Sequence, residues 1–122
     1  MSGETVVLGV DPGLNTTGYG VVAVSRGRIR LVDAGVLKPA QGLPLPLRLR
    51  ELHRDLGEIM DAHRPEAMAI EQVYSHYRHP RTAIIMGHAR GVLCLAAAQR
   101  DIPVKSIPAT HIKKAVTGRG RA

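Results

Sequence analysis

The chain of 122 residues is long enough for one domain with a modest hydrophobic core. Only 2% of its residues are aromatic, so the core has to be built from aliphatic side chains and methionine. The formal net charge of +7 favours a polyanionic partner, nucleic acid before a membrane surface, over a basic protein that has no such partner.

Cysteine usage and the N-terminus indicate the compartment. Cys94 is the only cysteine, so no disulfide forms within the chain, and we expect it to be a small core residue in a reducing environment. No apolar stretch reaches the roughly 18 residues that a membrane span needs, and the N-terminus lacks the pattern of a signal peptide. These features predict a cytoplasmic protein without membrane contact.

The first predicted strand ends in a carboxylate. Residues 6–10 are a continuous apolar run, which is followed by Asp11 and a Pro12-Gly13 turn. Such a run is typical of a strand that is buried on both faces. A carboxylate at its end has to be compensated by a metal, a cation or backbone donors. Taken alone, Asp11 is better explained as the residue that opens the turn, because Asp-Pro-Gly is favourable turn chemistry.

Two more strands and a helix are predicted next. Residues 18–24 and 29–32 have strand composition and are joined by a hairpin turn, and the third strand is able to continue through residues 35–37. These short connections predict an antiparallel meander. From Leu45 the apolar residues recur at steps of three and four, which predicts an amphipathic helix that ends at Arg64-Pro65.

A second predicted strand also ends in a carboxylate. Residues 67–70 form a short apolar run that is followed by Glu71. The order strand, helix, strand predicts a right-handed parallel crossover. If this strand lies beside the first, Asp11 and Glu71 meet at the edge where open α/β sheets bind their ligands. Glu71 alone is better explained as a surface residue, but two such carboxylates in one chain favour a site.

The remainder of the chain is predicted to add a polar loop, a long helix, a short strand and a last helix. The long helix runs from about residue 81 to residue 99 and is apolar nearly all round. Ala83, Gly87 and Gly91 form a strip of small side chains on it, which either packs on the sheet or forms a dimer seam. A strand over residues 103–107 and a helix from Pro108 to about residue 116 follow, before a basic, glycine-rich end.

This order of elements is that of the ribonuclease-H-like fold, an α/β architecture with a five-stranded mixed sheet flanked by helices. We therefore expect a single ribonuclease-H-like domain over residues 1–122. The sequence resembles, more narrowly, the RuvC family of Holliday-junction resolvases. The segments that match are residues 8–13, 17–21, 69–73, 89–92 and 112–118.

The resemblance implies a structure-selective endonuclease that cuts two opposing strands of a four-way DNA junction in recombination and repair. It implies that Asp11 and Glu71 are ligands of two magnesium ions, for which manganese would substitute. Lys113 would lie near the scissile phosphate, and Tyr74 would stack on bases at the junction centre. Hard carboxylate oxygens suit these cations, and a lysine beside the phosphate adds charge stabilisation.

The resemblance also implies partners, namely four-way junction DNA, a second copy of the chain and a branch-migration helicase. The dimer seam would be the helix over residues 81–99. The residues expected to contact DNA, chiefly through phosphates, are Tyr74, Arg78, Arg81, Lys114, Arg119 and Arg121. Without the resemblance, Lys113 and Lys114 are equally well explained as solvated charges on a helix, and Tyr74 as packing on the following helix.

The chain departs from the family at its C-terminus. Family members have a further helix that supplies the remaining ligands, whereas this sequence stops at Ala122 and has no acidic residue after Asp101. We therefore expect weak metal binding and little or no cleavage by this form. The alternative is a catalytically incomplete module that binds junction DNA. An actin-like nucleotide-binding domain, whose related fold opens with an Asp-Gly turn, is the third hypothesis, disfavoured by the short, basic chain.

Overall fold

The structure is a computed structural model that describes residues 3–13, 15–72 and 80–107. These residues form a five-stranded sheet and two long helices that pack on it. The elements in chain order are β1 (Thr5–Asp11), β2 (Thr17–Ser25), β3 (Arg28–Leu37), α1 (Leu45–His63), β4 (Ala67–Glu71), α2 (Pro80–Ala98) and β5 (Val104–Ile107).

The sheet is mixed and has the strand order β3-β2-β1-β4-β5. β1 and β2 pair antiparallel, as do β2 and β3, whereas β4 pairs parallel with both β1 and β5. This confirms the predicted meander and the predicted return of the chain to the side of β1. One edge of the sheet, which we call the carboxyl edge, consequently holds the start of β2 and the ends of the other four strands.

The hydrophobic core lies between one face of the sheet and the two helices. Leu8 and Val10 on β1 are fully buried, as is Ile70 on β4. Because side chains alternate along a strand, Leu8 and Val10 share one face, and the helices cover it. The helical residues of the core are Leu52, Leu56, Met60, Ala89, Leu93, Ala96 and Ala97. A core of aliphatic side chains and methionine was the sequence prediction, and it is confirmed for the described residues.

α1 begins and ends as its sequence predicts. Pro44 is its N-cap, and the helix stops at Arg64, whose left-handed backbone (φ 48°) is followed by Pro65. The last helical residue, His63, lies with Nε2 at 3.1 Å from Oδ2 of Asp33 on β3. This contact fixes the end of α1 to the sheet.

The same Asp33 carboxylate lies near Tyr19 on β2. Burial raises the pKa of the Tyr19 hydroxyl, and the Asp33 carboxylate raises it further through its charge and a hydrogen bond.

The other predicted bounds differ from the structure by one or two residues. α2 begins one residue earlier than predicted and ends one earlier, and β5 begins at Val104. β3 runs unbroken through Leu37, with a shift in register opposite Val21 and Val22 that indicates a bulge. The helix predicted from Pro108 lies outside the described residues.

α2 has one buried face and one open face. Met86, Ala89 and Leu93 are buried, whereas Ile84 is 62% exposed and Leu95 is 49% exposed. A Cβ atom built on Gly87 or Gly91 has no atom of the described residues within 4 Å. Packing on the sheet in the described part of the chain therefore does not explain these glycines, and the dimer seam stays a prediction. Neither helix in the described part of the chain is long and apolar enough to cross a bilayer.

Candidate acidic site at the carboxyl edge

The register of two parallel strands places Asp11 beside Glu71. The pairing of β1 with β4 runs from Val7 opposite Ala67 to Val10 opposite Ile70, and the next residue on each strand is the carboxylate. Neighbouring strands lie about 4.8 Å apart, so the two backbones are in direct lateral contact. Both residues are half-buried. The structure thus brings the two predicted acidic residues together at the predicted edge.

The two carboxylates lie on the sheet face opposite the helices. Val10 and Ile70 point into the helix-covered core, so the next residue on each strand faces the other way. Asp11 pairs with Gly18 on β2, where a Cβ atom would lie 3.9 Å from the Asp11 Cβ. A glycine here leaves space beside the carboxylate that any other side chain would fill.

An arginine that the sequence analysis did not assign holds the neighbouring strand ends in place. Arg90 on α2 donates from Nε to the main-chain oxygen of Glu71 at 3.3 Å. Its Nη2 donates to Oγ of Ser106 on β5, and its Nη1 to Sγ of Cys94 at 3.8 Å. The guanidinium therefore joins α2, β4 and β5 just behind the acidic pair. Cys94 is half-buried at the margin of the core rather than inside it.

The signal for Arg90 was present in the sequence, where it is a charged residue in the apolar middle of a helix. Such a residue needs a polar partner when it is partly buried. Which partner it finds depends on the tertiary structure. Beside Arg90 lies an open cleft of about 470 Å³, which is lined by Gln72, Gly87, Arg90, Gly91 and Ser106.

The remaining predicted site residues lie partly outside the described chain. Arg81 is exposed in the first turn of α2, and its predicted contact with DNA stays a prediction. The residues that lie outside the described ranges are Tyr74, Arg78, Lys113, Lys114, Arg119 and Arg121. Their predicted roles stay predictions.

The two carboxylates supply the kind of ligand that a divalent cation takes. Within residues 3–13, 15–72 and 80–107, no three His, Cys, Asp or Glu side chains cluster in a way that would hold a metal. Asp11 and Glu71 are therefore a two-carboxylate set. Magnesium is often held by one or two carboxylates and takes its other ligands from water and substrate phosphate. The pair fits such a cation when phosphate is present.

A mixed sheet in this strand order, with an acidic pair at the ends of β1 and β4, defines a ribonuclease-H-like domain. Residues 7–122 match the family described as crossover junction endodeoxyribonuclease RuvC. The chain belongs to this family, which confirms the resemblance and the fold class predicted from the sequence.

Individual relatives show the same kinship. The chain is 53% identical to the crossover junction endodeoxyribonuclease RuvC of Rhodopirellula baltica over 116 residues, 95% of this chain and 65% of the relative. The chain therefore spans less than two thirds of that relative's length.

Solved structures agree with the sequence comparison. The structure of T. thermophilus RuvC in complex with Holliday junction substrate superposes with a TM-score of 0.80 at 33% identity, covering 90% of this chain and 68% of that chain. A yeast mitochondrial Holliday junction resolvase superposes with a TM-score of 0.60 at 17% identity, over 82% of this chain and 48% of that chain, which shows the fold alone.

Proposed function

We propose that the chain acts in a magnesium-dependent endonuclease that resolves Holliday junctions by paired cleavage of phosphodiester bonds in DNA recombination and repair. The observation that supports this proposal most directly is the register of β1 with β4, which places Asp11 beside Glu71 at the carboxyl edge. The net charge of +7 is suited to a DNA partner. The relative from Rhodopirellula baltica named above is a crossover junction endodeoxyribonuclease.

The acidic pair would hold the divalent cations. When bound, magnesium or manganese would supply Lewis-acid stabilisation of a phosphodiester and activate water as the nucleophile, with two ions in a complete site. Asp11 is positioned by the central strand β1, which pairs on both sides. Glu71 is positioned by its own pairing and by the hydrogen bond from Arg90 to its main-chain oxygen.

Two residues outside the described ranges complete this proposal. Lys113 would place a positive charge against the phosphate, where negative charge increases as the bond breaks. Tyr74 would stack on bases of the opened junction, an interaction worth about 1–3 kcal/mol per base. These roles come from the family resemblance.

A cleavage assay with two substrates tests the proposed specificity. A synthetic four-way junction and a linear duplex of the same sequence are incubated with a form of the protein that includes the C-terminal helix of the family, in either magnesium or manganese. We expect paired nicks in the junction at a rate at least about tenfold above that on the duplex, because the proposed substrate is recognised by its shape. Equal cleavage of the two substrates would show that the proposed junction selectivity is wrong.

A catalytically incomplete junction-binding module is the second candidate. The observation that favours it is the two-carboxylate set, since the described ranges contain no larger group of metal-ligating side chains. Junction binding with a steep salt dependence, unaffected by Asp11→Asn and without nicking in manganese, would support this candidate over the nuclease.

We also propose a homodimer formed through the open face of α2. Paired cuts in symmetric strands need two sites related by a two-fold axis, which a dimer supplies. Ile84, Gly87, Gly91 and Leu95 follow one another at steps of three and four, so they lie on one side of the helix. The glycines allow a second helix to approach closely, and the two exposed aliphatic side chains would be buried by it.

A charge on this face should disrupt the dimer. Leu95→Glu would bury an unpaired carboxylate in the seam, and we expect it to weaken the dimer by about 2 kcal/mol or more, roughly 30-fold. Sedimentation equilibrium measures the effect. Ala62→Glu, at an exposed position of α1, introduces the same charge and should leave the dimer intact. A Leu95→Glu protein that dimerises like the Ala62→Glu control would exclude this seam.

The proposal also includes a cytoplasmic location and a helicase partner, which are inferred from different observations. The cytoplasmic location is inferred from cysteine usage. A branch-migration helicase as a partner is inferred from the family resemblance alone. Both stay predictions.

A further inference from the structure

A pocket of about 200 Å³ lies at the corner of the sheet formed by β2 and β3. We call it the basic pocket. Its lining comes from three segments: the turn between β1 and β2, the connection that follows β3, and the first turn of α1. The residues that line it are Asn15, Lys38, Pro39, Ala40, Gln41 and Arg48.

The basic pocket lies at the same edge of the sheet as the acidic pair. Lys38 directly follows Leu37, which pairs with Thr17 at the start of β2. The next residue of β2, Gly18, pairs with Asp11. Two strand spacings therefore separate β3 from β1, about 10 Å in total. Measured along the sheet, this distance corresponds to roughly three nucleotides of one DNA strand at a rise of about 3.4 Å per nucleotide. The pocket is lined in part by α1 on the helix side of the sheet, whereas the carboxylates face the other side.

The chemistry of the basic pocket suits an anion. Lys38 and Arg48 supply positive charge, Asn15 and Gln41 supply amide N–H donors, and none of the lining residues is acidic. The first turn of α1 likewise has no acidic residue.

Glu51, which does not line the basic pocket, holds one of its walls in place. Oε1 of Glu51, on the next turn of α1, accepts a hydrogen bond from the main-chain N–H of Ala40 at 3.4 Å. Through this hydrogen bond, the Glu51 carboxylate holds the connection after β3 against α1. Pro39 is buried and Lys38 is exposed, so the connection is anchored while the lysine reaches solvent.

We propose that the basic pocket binds a backbone phosphate of the DNA strand, a few nucleotides from the phosphate at the acidic pair. This inference rests on the proposed function, because it takes junction DNA as the partner. The pocket would fix the direction in which the strand leaves the acidic pair. It would contribute affinity without reading the base sequence, since phosphate contacts position a strand and base contacts specify it.

The test compares two double variants that lose the same charge. Lys38→Ala/Arg48→Ala removes the cations of the basic pocket. Arg28→Ala/Arg30→Ala removes two exposed cations at the other end of β3, which is ten residues long, so that the two sites lie roughly 30 Å apart. The exposed ion pair between Arg30 and Glu4 contributes little to stability, so this control should fold normally.

The measurement is the dissociation constant for a four-way junction over a range of potassium chloride concentrations, in calcium so that the DNA stays intact. For the pocket variant we expect affinity to fall about tenfold at 0.1 M salt and the slope of log K against log salt to become shallower by about 1 to 2. For the control we expect less than about a threefold change. Circular dichroism checks that both variants are folded. Lys38→Glu, an exposed position outside the helix, gives the same test without altering α1.

The possible results separate the two proposals. A wild-type chain that binds junction DNA while the pocket variants bind equally well, or lose no more than the control, overturns the basic pocket alone. A wild-type chain that binds no junction DNA overturns the proposed function and the pocket together. Tight binding of inorganic phosphate, lost in the pocket variant while its junction affinity is unchanged, would assign the pocket to a free anion and overturn the inference.

Discussion

In a form of the protein that includes the C-terminal helix of the family, replacing Asp11 with asparagine should lower the rate of junction nicking by about 10²–10³-fold or more. Asparagine has the size of aspartate but not its charge, so the acidic pair would lose half of its carboxylate oxygens while the end of β1 keeps its shape. Affinity for junction DNA should stay within about threefold or increase, because the substitution removes a negative charge that faces the phosphates. Single-turnover nicking in magnesium and gel-shift binding in calcium measure the two effects separately.

Asp101→Asn is the matched control for this substitution. Asp101 lies between α2 and β5, at the opposite end of the sheet, and its backbone has φ 57°, which asparagine adopts readily. The chemical change is therefore identical and the distance from the acidic pair is large. Nicking by the Asp11→Asn protein at the rate of the Asp101→Asn control would remove Asp11 from the catalytic site.

The sequence contained enough information to predict that the two carboxylates lie at one edge. Each apolar run stops at its carboxylate, and the helix between them requires a parallel return. The sequence alone did not determine the register in which β1 pairs with β4. A slip of one residue between β1 and β4 would turn Glu71 toward the helices while Asp11 stayed on the open face. The structure resolves this point by pairing Val10 with Ile70.

The face of α2 that packs on the sheet was harder to predict. Its apolar residues surround the helix, so periodicity does not identify a buried stripe. Small residues at steps of four are equally compatible with close packing on the sheet and with a seam between two chains. Only the tertiary structure shows that Ala89 and Leu93 face the core, while Gly87 and Gly91 face away from the part of the chain that the structure describes. The role of Arg90 was hidden for the same reason, because its hydrogen-bond partners lie on β4 and β5.

Truncating Ile70 to alanine should cost about 2–5 kcal/mol of the free energy of unfolding. The side chain is 0% exposed, and it belongs to the core cluster that β1 and β4 form with both helices. Removal of its outer atoms leaves a cavity that the surrounding strands and helices fill only in part. A domain of this size has a total stability of about 5–15 kcal/mol, so the variant should unfold at a much lower urea concentration.

Two controls connect this stability measurement to the acidic pair. Ile70→Val removes one methyl group and should cost about 0.5–1.5 kcal/mol, whereas Ile29→Ala, at a side chain that is 65% exposed, should change stability by less than about 0.5 kcal/mol. Side chains alternate along β4, so Glu71 points away from the helices if Ile70 is buried against them. If Ile70→Ala cost no more than Ile29→Ala, residue 70 would face solvent. Glu71 would then point into the helices, away from Asp11, and the two-carboxylate site would not exist.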